Sequence, residues 1–202
     1  MTKQRLLFIT TGGTIASVRT AQGLKPVLTS EELLAHLPEL NELCCPETLA
    51  LCSIDSTDLG PEHWLMMAKA VQENYALYDG FIICHGTDTL AYSAAALSYL
   101  IQNADKPIIL TGAQQPISNE ITDAKKNLRD SVICALDQGS RGVMVVFGAM
   151  SSRAPAPRRT RPSATMPLRR STSRSWRWCR ATGWCAMSPR RGPPARWSLA
   201  AP

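Results

Sequence analysis

A chain of 202 residues is long enough for one ordinary domain with a real core, and its overall formal charge of +6 conceals two unlike parts. Up to Met150, six Lys and four Arg face all 16 acidic residues, a balance of −6, whereas the remaining 12 Arg stand unopposed, a balance of +12. The apolar run of Leu6, Leu7, Phe8 and Ile9 is far too short for a secretory core or a membrane span, and seven Cys without a C-x-x-C spacing describe reduced thiols, not a disulfide framework.

In chain order, Leu6–Thr10 is a strand that stops at Gly12 and Gly13. Thr29, Ser30, Glu31 and Glu32 open a helix with a capping-box pattern, running to about Leu37 before Pro38. Thr48–Ile54 is a second strand. Pro61 suits a first helical position, and Trp64, Leu65, Ala68, Val71 and Tyr75 recur at helical spacing behind it. Phe81–Cys84 is a short strand, apolar throughout, and Leu90–Leu100 an Ala-rich helix. Pro107–Leu110 is a fourth strand, Asp123–Leu136 a helix with Leu128, Val132 and Ala135 along one face, and Val143–Phe147 a fifth strand. Strands apolar on both faces, separated by helices, predict an α/β fold: a doubly wound, mostly parallel sheet. Ligands in such sheets bind beyond the carboxyl ends of the strands. Those ends are rich in Thr, Ser, Asp and Gly here, which predicts one crevice lined by hydroxyls and carboxylates.

Two segments stand out. Gly12 and Gly13 in Thr11–Thr14 permit a tight turn and leave backbone N–H groups for an anion or oxyanion, though a plain turn explains the pair equally well. Neither G-x-x-x-x-G-K-[ST] nor G-x-G-x-x-G occurs, so neither phosphate-binding fingerprint is present. His85, Gly86, Thr87, Asp88 and Thr89 pack a carboxylate and two hydroxyls between a buried strand and a helix start. Asp88 or Thr87 is suited to cap that helix, and Asp88 equally to hold a substrate ammonium. His85 at a strand end reads as structural before it reads as a general base. Asp55, Asp58 and Asp88 lack the tight spacing and extra acids of a hard-metal site, so no metal is expected.

At this point the chain resembles a known family, the asparaginase/glutaminase amidohydrolases, and within it the cytoplasmic bacterial branch. The resemblance runs from residue 5 to about 148 and rests on Thr10–Ala16, Ile54–Asp58, Asp79–Thr89 and Lys106–Gln114, all four in order. It implies hydrolysis of L-asparagine to L-aspartate and ammonia in the cytoplasm, with no cofactor. Thr14 would be the nucleophile, Thr87 the second essential Thr, and Asp88 their companion. Asp88, with Asp55, Ser56 and Thr57, would grip the amino-acid ends of the substrate, with backbone N–H groups near Gly86–Thr87 and Ala113 facing the oxyanion or the carboxamide. A smaller C-terminal domain and homo-oligomers, dimers or tetramers, belong to the full-length family, and that domain is expected to be absent here. A related amidotransferase subunit that feeds ammonia to tRNA modification shares these motifs; a free-standing asparaginase is preferred because no extra N-terminal domain precedes them. Two departures mark this chain. Gln22 and Gly23 are followed by Leu24 where many members carry a lid Tyr, and no Lys follows Lys126 where the family places a catalytic Lys after the fifth strand.

These observations divide the chain into an α/β domain, residues 1–150, and an Arg/Pro-rich tail, residues 151–202. The tail has no Asp, Glu, Lys or His and no sustained apolar periodicity, and is expected to be disordered. Such a basic, Trp-containing segment has the composition of a nucleic-acid ligand, and a noncatalytic amino-acid-binding module is a further alternative. A shifted reading frame explains the tail better. Back-translated from Met150 and read one nucleotide earlier, permitted codons yield Asn-Val-Ile-Ser-Gly-Thr-Arg-Ala-Lys-Lys, and Thr165–Arg169 yields Tyr-Asp-Ala-Phe-Glu. These are segments of the kind the family has at those places, so neither a nucleic-acid nor a membrane partner is expected.

Overall fold

The computed structural model describes residues 2–20, 23–26, 28–148, 150–153, 176–180 and 183–184. Strand β1, Arg5–Gly12, is buried along nearly its whole length because it lies inside the sheet with helices over both faces. A hairpin of β2, Ser17–Thr20, and β3, Gly23–Pro26, follows, then two short helices, α1, Ser30–Ala35, and α2, Leu40–Leu43. Three strand–helix units come next: β4, Cys45–Ile54, with α3, Pro61–Asn74; β5, Gly80–Cys84, with α4, Leu90–Leu100; and β6, Pro107–Thr111, with α5, Ala124–Leu136. Strand β7, Gly142–Phe147, ends the parallel run. Beyond it β8, Met150–Arg153, β9, Trp176–Arg180, and β10, Gly183–Trp184, continue the sheet antiparallel. These three strands fall almost entirely within residues expected from composition to lack regular structure. The rest of that stretch lies outside the described residues.

The strand order across the parallel part is β4-β1-β5-β6-β7. From β1 the chain moves to one side to lay down β4, then crosses back to place β5 on the other. This reversal makes β1/β5 the switch point, where α/β sheets open a crevice at the carboxyl ends. One face of the sheet, with Leu6, Phe8, Ile82 and Ile109, packs on Leu33 of α1, Leu40 of α2 and Leu128 and Val132 of α5. The other, with Leu7, Ile9, Phe81 and Ile83, packs on Met67 and Val71 of α3 and Leu90, Ala94 and Leu97 of α4. The doubly wound α/β architecture read from the sequence is the one observed.

Local details follow side-chain chemistry. The capping box at α1 is complete: Glu32 N–H donates to Thr29 Oγ1 at 3.2 Å, and Thr29 N–H to Glu32 Oε2 at 2.8 Å. The helix stops at Ala35, short of the expected Leu37, because Leu37 N–H turns back to the Leu34 carbonyl at 2.9 Å ahead of Pro38. In α3 the expected face holds except at Leu65, which is 56% exposed. Ala68 and Val71 are buried, Trp64 and Tyr75 pack against the same core, and Trp64 Nε1 donates to Ser93 Oγ of α4 at 2.9 Å.

Candidate active site

Four loops leave the carboxyl ends of β1, β4, β5 and β6 and touch through their backbones. Gly12 and Gly13 end β1 at φ 99° and 77°, where a side chain is strained. A Cβ on Gly13 would stand 2.6 Å from the Gly86 Cα, and one on Gly86 would stand 2.5 Å from both Cβ and Oγ of Ser56. A Cβ on Gly112 would collide with the His85 carbonyl oxygen and stand 3.6 Å from Thr87 Cγ2. Gly13 N–H also donates to the Ile54 carbonyl at 3.3 Å, and His85 N–H to the Thr111 carbonyl at 2.8 Å. The glycines are therefore needed for contact between loops as much as for turning.

Thr14 opens a 3-10 turn, Thr14–Ala16, and is half-buried. The turn is held from below by Ser17 Oγ, which donates to the Gly13 carbonyl at 2.9 Å. Thr87, also half-buried, follows Gly86 directly, so the Gly13–Gly86 contact sets Thr14 and Thr87 on adjoining loops. Asp88 is exposed beside them. Neither Thr87 nor Asp88 holds the cap position of α4, which is Thr89; the Thr89 side chain makes no cap bond, and its Oγ1 donates to the Ser56 carbonyl at 2.7 Å instead. That bond joins the β4 and β5 loops a second time.

Asp55, Ser56 and Thr57 form the corner after β4. Asp55 Oδ1 accepts from both Thr57 N–H and Thr57 Oγ1 at 2.9 Å, which makes it the cap of the turn Ser56–Asp58. Asp55 and Thr57 are exposed and Ser56 is buried against Gly86. Ala113 is fully buried in the loop after β6. Gly86 and Ala113 therefore have only their backbones to offer a ligand at this edge. Among the described residues no group of three or more His, Cys, Asp or Glu is arranged to hold a metal ion.

His85 is 0% exposed, and burial pushes its pKa below the ordinary value of 6.5, against an opposing hydrogen bond to Gly86. Its Nδ1 lies 2.6 Å from the Gly86 carbonyl, which can only accept, so Nδ1 carries a proton. It holds the Gly86 turn from within the core, the structural role read from sequence. A cavity of about 490 Å³ lies elsewhere, against α1, α2 and the outer edge of β4, lined by residues such as Glu31, Leu37, Asn41 and Glu47 and by none of the site residues.

Residues that sequence reasoning missed lie on α5. Asp123 and Asn127 hydrogen-bond the loops after β6 and β7. The signal was a polar residue at position 127 within the stripe of Ala124, Leu128, Ser131 and Val132, all buried. The lid position falls outside the described residues, which include neither Gln22 nor the side chain of Leu24.

A family model described as "Asparaginase, N-terminal" matches residues 5–173. An L-asparaginase of Thermococcus kodakarensis is 41% identical over 144 residues, which are 71% of this chain and 44% of that protein. A glutamyl-tRNA(Gln) amidotransferase subunit from Saccharolobus solfataricus is 38% identical over 153 residues, 74% of this chain and 34% of the relative. Among solved structures, a thermostable L-asparaginase from Thermococcus kodakarensis superimposes with a TM-score of 0.81 at 32% identity, covering 93% of this chain and 57% of that one. A probable cytoplasmic L-asparaginase from Campylobacter jejuni gives 0.69 at 30% identity, covering 77% and 48%. The chain spans about half the length of these enzymes. By the family model over most of the chain, the identity to these relatives and the shared fold, the chain belongs to the asparaginase family.

Proposed function

We propose that the crevice at the β1/β5 switch point is built to hydrolyse the side-chain amide of L-asparagine. Thr14 Oγ attacks the carboxamide carbon, its proton passes to the departing nitrogen, and ammonia leaves an ester on Thr14. Water, deprotonated through the Thr87 side of the pocket, attacks that ester and releases L-aspartate. Asp88 holds the substrate ammonium. The Asp55–Thr57 corner receives the carboxylate end, beside Ser56. Backbone N–H groups of the Gly86 and Ala113 loops face the oxyanion, where one donor contributes about 10²–10³ in rate. The observation that carries this reading is the Gly13–Gly86 approach, 2.6 Å from an ideal Cβ. It supports a single pocket shared by Thr14 and Thr87.

The same reading limits the chain itself. No Lys follows Lys126, so the family's catalytic Lys has no counterpart, and the Arg-rich residues after 150 are best read as a shifted frame. The parent enzyme is then a cytoplasmic homo-oligomer in which a complete C-terminal part follows β7, and the present polypeptide keeps the crevice with little or no turnover. Support for the location comes from the resemblance to cytoplasmic members and from the Campylobacter jejuni neighbour.

An ammonia-release assay tests this on two polypeptides, the chain as it stands and a version with the original frame restored after residue 149. Only the restored form is expected to turn over, within the ordinary range of about 1–10³ s⁻¹, and Thr14→Ala in it removes activity. Turnover in that range by the present chain overturns the inactivity proposal. A gene sequence with no insertion or deletion near Gly148–Met150 removes the frame proposal. The amidotransferase relative sets a second reading: ammonia passed to a partner instead of released. Free ammonia from L-asparagine without tRNA decides for the asparaginase.

A further inference from the structure

One side chain of α5 reaches two of the loops at the carboxyl edge. Asn127 is 1% exposed. Its Nδ2 donates to the Gly112 carbonyl at 2.9 Å and to Asp123 Oδ2 at 3.2 Å, while its Oδ1 accepts from Gly148 N–H at 3.0 Å. Both amide protons and the oxygen are used, and each bond ends on a different segment: the loop after β6, the cap of α5 and the turn after β7. One helical turn earlier, Asp123 accepts from Gln114 N–H at 2.9 and 3.0 Å and from Gln115 N–H at 3.0 Å. The same loop reaches the Thr14 turn, where Ile117 N–H donates to the Ile15 carbonyl at 3.3 Å.

Peptide planarity turns these bonds into a constraint on Ala113. The Gly112 carbonyl and the Ala113 N–H share one trans peptide group, so holding the first toward α5 directs the second away from it. The Ala113 carbonyl and Gln114 N–H share the next group, and Asp123 holds that one by its N–H. Asn127 and Asp123 therefore aim both backbone polar groups of Ala113 away from α5.

Position 127 admits few alternatives. An apolar residue would leave the Gly112 carbonyl and Gly148 N–H without their partner, a carboxylate would set negative charge against Asp123 and the Gly112 oxygen, and Ser is too short to span the segments.

We infer that Asp123 and Asn127 are positioning residues of this site, a clamp that sets the Ala113 backbone and the exit of the chain at Gly148 relative to Thr14 and Thr87. The inference rests on the crevice reading above and names the device that holds its third wall.

The test uses the full chain and L-aspartate, the product, as the probe, measured by calorimetry beside amide hydrogen exchange. Asp123→Ala is expected to speed exchange at Gln114 and Gln115, and Asn127→Ala at Gly148. Asn127→Asp keeps an acceptor for Gly148 N–H and loses the donors, so Gly148 stays protected. All three variants are expected to bind L-aspartate about 10- to 100-fold more weakly, the usual effect of misplacing a supporting group, while exchange in β1 and β5 stays slow. The contrast between Asn127→Ala and Asn127→Asp at Gly148 separates a clamp from general loss of stability. Should Asn127→Ala unfold, Asn127→Asp and Asp123→Ala carry the decision. Wild-type chain that binds, with variants that bind equally well, overturns the clamp alone. Wild-type chain that does not bind L-aspartate overturns the site reading and the clamp's role with it.

Discussion

The two ends of the parallel sheet solve the same problem with different materials. At the amino ends, long side chains close over the strand starts. Arg5 donates to Glu47 at 2.8 Å and lies 4.9 Å over the Tyr78 ring, and the Tyr78 hydroxyl donates to Glu47 at 2.7 Å. Beside them the Tyr75 hydroxyl donates to Asp105 and accepts from the Asp105 and Lys106 amides at 3.0 Å, while Lys106 Nζ donates to the Tyr75 and Tyr78 carbonyls. At the carboxyl ends, glycine backbones meet one another and short hydroxyl side chains bond main-chain carbonyls. Long side chains that pair among themselves tie the strand starts together. Close backbone packing with small side chains draws the four loops against one another. The difference sets side-chain pairing at one edge against backbone contact at the other, where the amide-hydrolysing crevice is proposed.

Three measurements would break or sharpen that contrast. The largest effect is expected at Gly86. A methyl there meets Ser56 at 2.5 Å, with no flexible side chain to move aside, so Gly86→Ala should lower stability by about 3 kcal/mol in urea unfolding. Ser56→Gly in the same chain should recover part of it. If Gly86→Ala unfolds like wild type, the tight backbone contact of the site is not present in solution.

A smaller loss is expected from Tyr75→Phe at the opposite edge. Removing the hydroxyl leaves the Asp105 and Lys106 amides without their acceptor, at about 1–2 kcal/mol. L-aspartate binding should not change. A loss of binding there would mean the two edges are coupled and the division of labour is wrong.

The smallest effects are in pH dependence, and they have different windows. His85 is buried with its pKa held below 6.5, so the unfolded chain takes up a proton that the folded chain refuses. Its contribution is complete above the unfolded value and falls as pH drops below about 6.5, with a slope of at most about 1.4 kcal/mol per pH unit. Glu47 is held below its ordinary value of 4.5, chiefly by the Tyr78 hydroxyl and then by Arg5. Its contribution is present above 4.5 and is lost as pH falls through the lower folded value. His85→Gln should flatten the first window and Glu47→Gln only the second. Urea midpoints taken across both windows check this, and a single common window would show that the assignments are mistaken.

Local order was legible from the residues because its causes are local. The apolar runs at Leu6–Thr10, Phe81–Cys84 and Val143–Phe147, the Thr29–Glu32 capping box and the Pro61 start needed only near neighbours to declare themselves, and each stands where it was read. The hairpin of β2 and β3 was missed. It is two four-residue strands with Pro26 in one of them, too short and too irregular for a period of two to show. Helix α3 was found with its face right except at Leu65, while the bond from Trp64 to Ser93 of α4 was hidden because Ser93 is remote in sequence.

By itself, then, the sequence determined the alternation of buried strands and helices, the family, and the four motifs at the strand ends. Only the tertiary structure decided that β4 and β5 flank β1, that Gly13 meets Gly86 and Gly86 meets Ser56, and that Asn127 faces Gly112 and Gly148 instead of water. The reason is physical. Periodicity and capping act over a few residues, whereas strand order is set by which apolar faces can be buried together, and a polar residue on a helix shows its partners only once the sheet beneath it is assembled.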